Sequence, residues 1–324
     1  MFDVITFGSA TRDVFLRSRA LELHKEHGVT EACFPFGSKL NVEEIVFETG
    51  GGATNSAVTF ARLAKFKTAA VTCVGDDGSG AEVIAALKSD GVDTRFVERQ
   101  SGAITSYSTI LLSGAAERTI LTYRGPSAAP RRERVPWSRI SADLFYVSSL
   151  SGDLEMLAAI LDRAARIGAK AIMNPGGGEF AQPAAKLHPL LSRLDLVIVN
   201  REEAARLTGA PIGDLARLVA GMRRLNARSV ITDGRAGAYA VTARDLLHAD
   251  IVPSKRVNMT GAGDAFDSGF ASAILKHYDL RAALAVGTLN ATGVVQHNGA
   301  KVGILRAWPS SHAISRVKIR KVIL

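Results

Sequence analysis

Short apolar runs rich in β-branched residues alternate with helical patterns along most of this 324-residue chain. No other feature constrains the fold as strongly. A brief apolar run followed by a segment of helical period builds strand–helix–strand units. Such units stack into an open parallel sheet covered on both faces. The spacing predicts strands at residues 4–8, 69–74, 171–173, 196–199 and 230–232. It predicts helices at residues 56–63, 81–87, 154–167 and 264–277. In the third of these, Leu157, Ile160, Leu161, Ala164 and Ile167 recur on one helical face.

Two regions, residues about 12–48 and 103–123, break this rhythm with alternating strand-like patterns and no helices. Ser106-Tyr-Ser-Thr-Ile-Leu-Leu112 and Arg118-Thr-Ile-Leu-Thr-Tyr123 flank Ser-Gly-Ala-Ala-Glu, which reads as a hairpin turn. A small antiparallel sheet projecting from the body explains both regions. Over the edge of a site it would act as a lid that excludes water. The plain alternative is an antiparallel extension with no gating role.

Composition removes several classes. Hydrophobic residues at 47% and charged residues at 22% match ordinary soluble usage and argue against a disordered chain. No run of about 18 uncharged apolar residues occurs, so no membrane span is expected. Cys33 and Cys73 form no Cys-x-x-Cys pair, and no His/Cys cluster has metal-ligand spacing. Two free thiols and a start that reads as a strand rather than a signal peptide point to the cytoplasm. The formal charge of +9 is spread along the chain. Its densest places, Arg131–Arg134 and the tail Ser-Arg-Val-Lys-Ile-Arg-Lys321, lack interleaved aromatics. The charge therefore reads as solvated surface with a bias toward anionic ligands such as nucleotides, and not as a nucleic-acid site.

The sharpest chemical signal is Asn258-Met-Thr-Gly-Ala-Gly-Asp-Ala-Phe266, between an extended segment and an amphipathic helix. Gly261 and Gly263 let the backbone approach a ligand closely. The amides from Gly261 through Ala262 and Gly263 to Asp264 would point out of the helix N-terminus as an anion site. Asp264 in that first turn is placed to accept a proton from a hydroxyl attacking a phosphorus. Alone, it could equally complement the helix dipole, worth about 0.3–1 kcal/mol. No Gly-x-x-x-x-Gly-Lys-[Ser/Thr] occurs, which excludes a Walker loop. Phe266 and Asn55 stand where a third glycine would complete a dinucleotide fingerprint, so an oxidoreductase of that type is not expected.

The chain resembles the ribokinase-like carbohydrate kinases of the PfkB type over nearly its whole length. Gly50-Gly-Gly-Ala-Thr-Asn55-Ser-Ala57 is similar to the family's N-terminal signature. Val74-Gly-Asp-Asp-Gly-Ser-Gly80, Asn200-Arg-Glu-Glu203 and Thr232-Asp-Gly234-Arg-Ala-Gly237 are similar to its middle motifs. Thr260–Phe266 is similar to its C-terminal signature. The resemblance implies one three-layer α/β domain over residues 1–324, mostly parallel, with the lid sheet attached. It implies transfer of the γ-phosphoryl group of ATP to a hydroxyl, with Asp264 as base and Gly261, Ala262 and Gly263 as anion hole. It assigns Asp13, Gly50, Gly51 and Asn55 to the acceptor. Asn200, Thr232, Gly234 and Gly237 fall to the nucleotide phosphates, Glu203 to Mg²⁺ through water, and Asn290 to the edge of the adenine. Each has a structural alternative. Asp13 can cap a turn, Asn55 can cap a helix, and Asn200 with Glu203 can form a capping box.

Departures from the family cluster on the acceptor side. Asn258 replaces an aspartate, which weakens the case for a monovalent cation. Gly52 stands where some members carry a sugar-contacting lysine. Ser148 or Ser149 stands where some carry a glutamate. Arg124 can reach from the lid toward an acidic substrate or remain a surface arginine. A sugar and a nucleoside both stay open as acceptor. Phe15, Phe34, Phe36 and Tyr107 are candidate platforms for a base. A catalytically silent sensor of sugar or nucleotide is the alternative outside enzymes. An open lid edge can pair with a second copy, so a homodimer through the lid is a further expectation.

Overall fold

The computed structural model describes residues 1–26, 29–112, 118–125, 129–226 and 228–324. Among these, ten strands form one sheet in the order Ile319–Lys321, Leu246–Ala249, Ala238–Val241, Ser229–Thr232, Leu196–Asn200, Lys170–Met173, Ala142–Val147, Phe2–Phe7, Thr68–Gly75, Val97–Gln100. From Ser229–Thr232 to Val97–Gln100 the neighbours run parallel. The three strands on the other side are added antiparallel. The sequence pattern predicts none of these three strands, and the last lies in the basic tail. Ile319–Lys321 is fixed by pairing with Leu247–Ala249, a tertiary contact that no local period records.

The layers follow from alternation along each strand. Ile5, Phe7, Phe145, Val147, Val197, Val199 and Ile231 face one side, against Leu157, Ile160, Leu187, Leu218 and Met222. Val4, Leu144, Tyr146, Ile198 and Val230 face the other, against Phe60, Phe266, Phe270 and Leu284. Successive residues pointing to opposite faces, both apolar, give a sheet that must be covered twice. The predicted helix at 154–167 is observed as Leu154–Ile167, started by Asp153 accepting from the Met156 amide and stopped by left-handed Gly168. Helix Ala262–Leu275 lies between helix Gly52–Arg62, helix Leu280–Val294 and the sheet. That position explains why residues from Ala265 to Ala273 are buried all round.

The two strand-like regions form a small sheet in the order Glu44–Gly50, Thr11–Arg17, Tyr107–Leu112, Arg118–Tyr123, but it is mixed and not antiparallel throughout, because Thr11–Arg17 and Tyr107–Leu112 come from separate regions of the chain and pair parallel. Phe15, Ile110 and Leu112 make its own small core, with Val46 packed beside them. Glu22–Glu26 and Val29–Cys33 pair antiparallel as a separate two-stranded sheet. The turn expected at 113–117 lies outside the described residues, but the strands on either side pair antiparallel. Asp77 joins body to lid, accepting from Gly80 N, Thr105 N and Thr105 Oγ1 (2.8, 3.0 and 2.6 Å). No described helix is long and apolar enough to cross a membrane.

Candidate active site

Helix Ala262–Leu275 begins on Gly261 in the left-handed conformation, φ +79°. A Cβ there would stand 2.4 Å from Ala300 Cβ, so both backbone and packing require glycine. A Cβ on Gly263 would meet nothing within 4 Å. The Ala262 amide, expected in the anion hole, is instead spent on Met259 O (3.2 Å), which leaves the amides of Gly263 and Asp264 at the open helix start with the positive end of the helix behind them.

Ala262 and Gly263 line a cleft of about 270 Å³ together with Asn200, Thr232, Gly234 and Gly237. Asn200 and Thr232 end neighbouring parallel strands and pair in register, so the carboxyl edge of the sheet forms one wall. The Arg201 guanidinium pairs with Asp233 and ties the two loops together. The opposite wall is mostly apolar, with Val252, Phe266, Ala291 and Val295. Gly237, at φ +94°, lies so near Ala249 that a Cβ would stand 2.0 Å from its carbonyl oxygen.

Two residues assigned to this cleft do other work. Asn290 is fully buried. Its Nδ2 donates to Ala265 O (2.8 Å) and its Oδ1 accepts from Leu305 N (3.0 Å), so both ends of the amide are spent inside the protein. Thr288, Ala291 and Thr292 of the same helix line the cleft instead. Glu203 makes the capping box: its Oε2 accepts from Asn200 N (2.8 Å) while Asn200 Oδ1 accepts from Glu203 N (2.9 Å). Burial raises its carboxyl above the ordinary value.

Beyond the helix start, the acceptor residues gather around Asp264. Asn55 Nδ2 donates to Asp264 Oδ2 at 2.8 Å. Burial pushes the Asp264 carboxyl up, the Asn55 amide and the Lys301 ammonium pull it down, and Asp13 adds to the rise. Asp13 is buried on strand Thr11–Arg17 and accepts from Thr11 Oγ1 (2.8 Å). Burial raises it as well, against Thr11 and Lys301. Gly50 must be glycine because a Cβ would stand 2.0 Å from Asp13 Oδ2. Gly51, at φ +96°, packs on Ser9 and Ala10. Thr54 Oγ1 donates to Gly50 O (2.6 Å) and fixes this floor.

Ser148 explains one departure. A Cβ on Gly52 would stand 2.6 Å from Ser148 Cβ and Oγ, so no lysine fits there in this backbone. Ser149 Oγ donates to Glu179 Oε2 (2.7 Å). Glu179 also accepts from the amides of Leu150, Gly152 and Gly176 (2.8, 2.9 and 2.8 Å), knitting together the loops that follow two strands. Arg124 lies just past strand Arg118–Tyr123 with its side chain exposed, and its carbonyl accepts from Ser106 Oγ (2.8 Å). Lys301 draws the Asp264 carboxyl down. Asn258 Oδ1 is spent on Thr260 N and Oγ1 (2.8 and 2.9 Å). Phe15 is buried in the lid core and cannot stack on a ligand, whereas Phe34 and Phe36 are exposed.

Lys301 and Glu179 were not legible as site residues, and Ser148 was legible only as a departure from the family pattern. Each is a single common residue in an unremarkable stretch, brought to the site by the tertiary fold alone.

This geometry has close parallels among known proteins. A ribokinase of Schizosaccharomyces pombe is 28% identical over 320 residues, 94% of this chain and 95% of that protein. A nucleoside kinase of Methanothermobacter thermautotrophicus is 24% identical over 79% of this chain and 81% of its own length. The structure of Arabidopsis thaliana ribokinase complexed with ribose and ATP superposes with a TM-score of 0.77 at 19% identity, over 97% of this chain and 98% of that one. The model of the pfkB family of carbohydrate kinases matches residues 1–306. The chain belongs to the pfkB carbohydrate kinase family.

Proposed function

We propose that the protein transfers the γ-phosphoryl group of ATP to a hydroxyl of a sugar or sugar-like molecule, with Asp264 as general base. The observation that carries this is the placement of Asp264 in the first turn of a helix whose Ala262 and Gly263 line the cleft of Asn200, Thr232, Gly234 and Gly237. Its carboxylate meanwhile meets the floor formed by Asp13, Gly50, Gly51 and Asn55. One face of the helix start thus serves phosphate oxygens and the other the attacking hydroxyl. The reaction needs in-line approach and charge stabilisation more than covalent chemistry. Asp13, buried and acceptor-only when ionised, is suited to fix a second hydroxyl of the acceptor.

ATP as donor is in keeping with the ribose and ATP of the Arabidopsis complex. No group of three His, Cys, Asp or Glu among the described residues forms a metal cage. The donor set fits a Mg²⁺ that rides on nucleotide phosphates and keeps most of its waters. Glu203, with one carboxylate oxygen outside the capping box, would hold such a water, and the ion would neutralise phosphate charge. Two free thiols, Cys33 exposed and Cys73 buried, suit a cytoplasmic enzyme. The partner proposed for the lid is a second copy of this chain. Among the described residues no further strand pairs with the outer strands of the small sheet, and Ile45, Phe47, Leu121 and Tyr123 are exposed on them.

A nucleoside acceptor is the second reading, favoured by the nucleoside kinases of similar sequence and fold. The burial of Phe15 removes one platform for a base. The test is ADP release from Mg-ATP with ribose, deoxyribose, fructose, ketodeoxygluconate and nucleosides, with Asp264→Asn beside the native protein. Turnover with one acceptor, reduced about 10²–10⁴-fold in the variant at unchanged nucleotide affinity, is the expected result. Full turnover in the variant would remove Asp264 from the chemistry. Nucleotide binding without turnover on any acceptor would favour a silent sensor.

A further inference from the structure

Three consecutive residues, Gly299, Ala300 and Lys301, touch three parts of the site in turn. A Cβ on Gly299 (φ +98°) would stand 2.9 Å from Glu48 Cγ on the lid strand. Ala300 packs on Gly261, at the mouth of the anion hole. Lys301 Nζ donates to Thr49 O (2.9 Å) and Thr49 Oγ1 (2.8 Å). Thr49 directly precedes Gly50 and pairs with Arg12, the neighbour of Asp13. The Lys301 carbonyl accepts from Arg62 Nη1 (2.7 Å), which fixes the segment from its other side.

Lys301 is 4% exposed, and burying an ammonium is costly unless charge compensates it. Thr49 supplies two acceptors but no charge. The compensating charges are Asp13 on strand Thr11–Arg17, Asp90 after helix Gly78–Ser89 and Glu48 on strand Glu44–Gly50. Arg62 on helix Gly52–Arg62 opposes them. The interaction is mutual. Lys301 draws Asp13, Glu48 and Asp264 toward their ionised forms, and Arg12 assists at the first two. At Asp264 the groups that oppose burial are Asn55, a neutral amide, and Lys301.

We propose that Lys301 is a positioning residue for phosphoryl transfer: seated on Thr49, it sets a buried ammonium behind the strand that carries Gly50 and holds Ala300 against Gly261. This rests on Asp264 as the base. It also accounts for a kinase whose Gly52 leaves no room for a side chain: the cation of the acceptor site enters from the C-terminal segment and stays beneath the floor instead of above it.

The pH profile of kcat/KM separates this role from mere packing. Burial lowers the Lys301 ammonium to about 8, so native activity should fall as pH rises through that region. Lys301→Met removes the charge and keeps the chain length. Its acid limb should move up by about one pH unit, because Asp264 and Asp13 then ionise less readily. Its kcat/KM near neutrality should drop about tenfold or more. Lys301→Arg keeps a charge that does not titrate, so its acid limb should stay in place and the alkaline fall should vanish. A Lys301→Met protein with an unmoved acid limb and native kcat/KM overturns the proposal. Should that variant not fold, an alkaline fall that persists in Lys301→Arg overturns it. Should neither fold, native activity that stays flat through the titration range of Lys301 does so. Asp264→Asn, run in parallel, distinguishes failure here from failure of the base assignment, since only the latter leaves that variant active.

Discussion

Asn55 and Asp264 stand 209 residues apart in the chain and meet through one hydrogen bond, Nδ2 to Oδ2, of 2.8 Å. The donor belongs to the first turns of helix Gly52–Arg62, and the acceptor to the first turn of helix Ala262–Leu275. The two helices pack side by side, so the contact joins the proposed acceptor floor to the proposed base.

Asn55→Ala removes the donor that favours the ionised form of Asp264. A hydrogen bond to a charged group contributes about 1.5–3 kcal/mol, equivalent to roughly 1–2 pKa units. The acid limb of kcat/KM should therefore move upward by about that much, with less activity at neutral pH. A profile measured over the acid range checks this, and an unmoved limb would show that Asn55 does not tune the base.

Gly261→Ala and Gly263→Ala should part company. The first forces a side chain into a left-handed conformation and against Ala300. We expect a loss of about 1–3 kcal/mol in stability together with loss of turnover. The second meets open space, so its melting temperature should stay near native while phosphate binding weakens. Thermal melts paired with nucleotide titrations read both.

Asp267 lies one turn behind the base, fully inside the protein, and its Oδ1 has no hydrogen-bond partner. Burial, with Asp264 and Glu203 nearby, raises its carboxyl well above the ordinary value. The folded form thus holds its proton more tightly than the unfolded chain does. The resulting stability is full below the unfolded pKa and is lost as pH rises toward the folded one. Asp267→Asn removes that dependence. The variant should melt at least ~2 °C higher than native at neutral pH, and the gain should shrink toward about pH 4. Melting curves across that range provide the measurement.

Much of the fold was legible because it rests on local rules. Helix Leu154–Ile167 carries its own cap, its own stop and an unbroken apolar face. The two lid regions announced themselves by alternation without helices. The sites were legible where chemistry and backbone geometry coincide in a short stretch. Gly261, Gly263 and Asp264 state an anion hole and an acid in four residues, and Asn200, Thr232, Gly234 and Gly237 each follow a readable strand and meet at one cleft.

The sequence by itself thus determined the strand–helix alternation, the twice-covered sheet, the small second sheet and the residues that meet at the cleft edge, since these depend on residues close together in the chain. Only the tertiary structure decided that Asn290 is spent on Ala265 and Leu305 inside the protein. It alone decided that Ser148 closes the space above Gly52, and that Lys301 brings a buried charge beneath Thr49. Those outcomes depend on which distant side chains reach the same few cubic ångströms. Burial there sets the cost of a charge and the room for a Cβ, and neither quantity exists until the layers have packed.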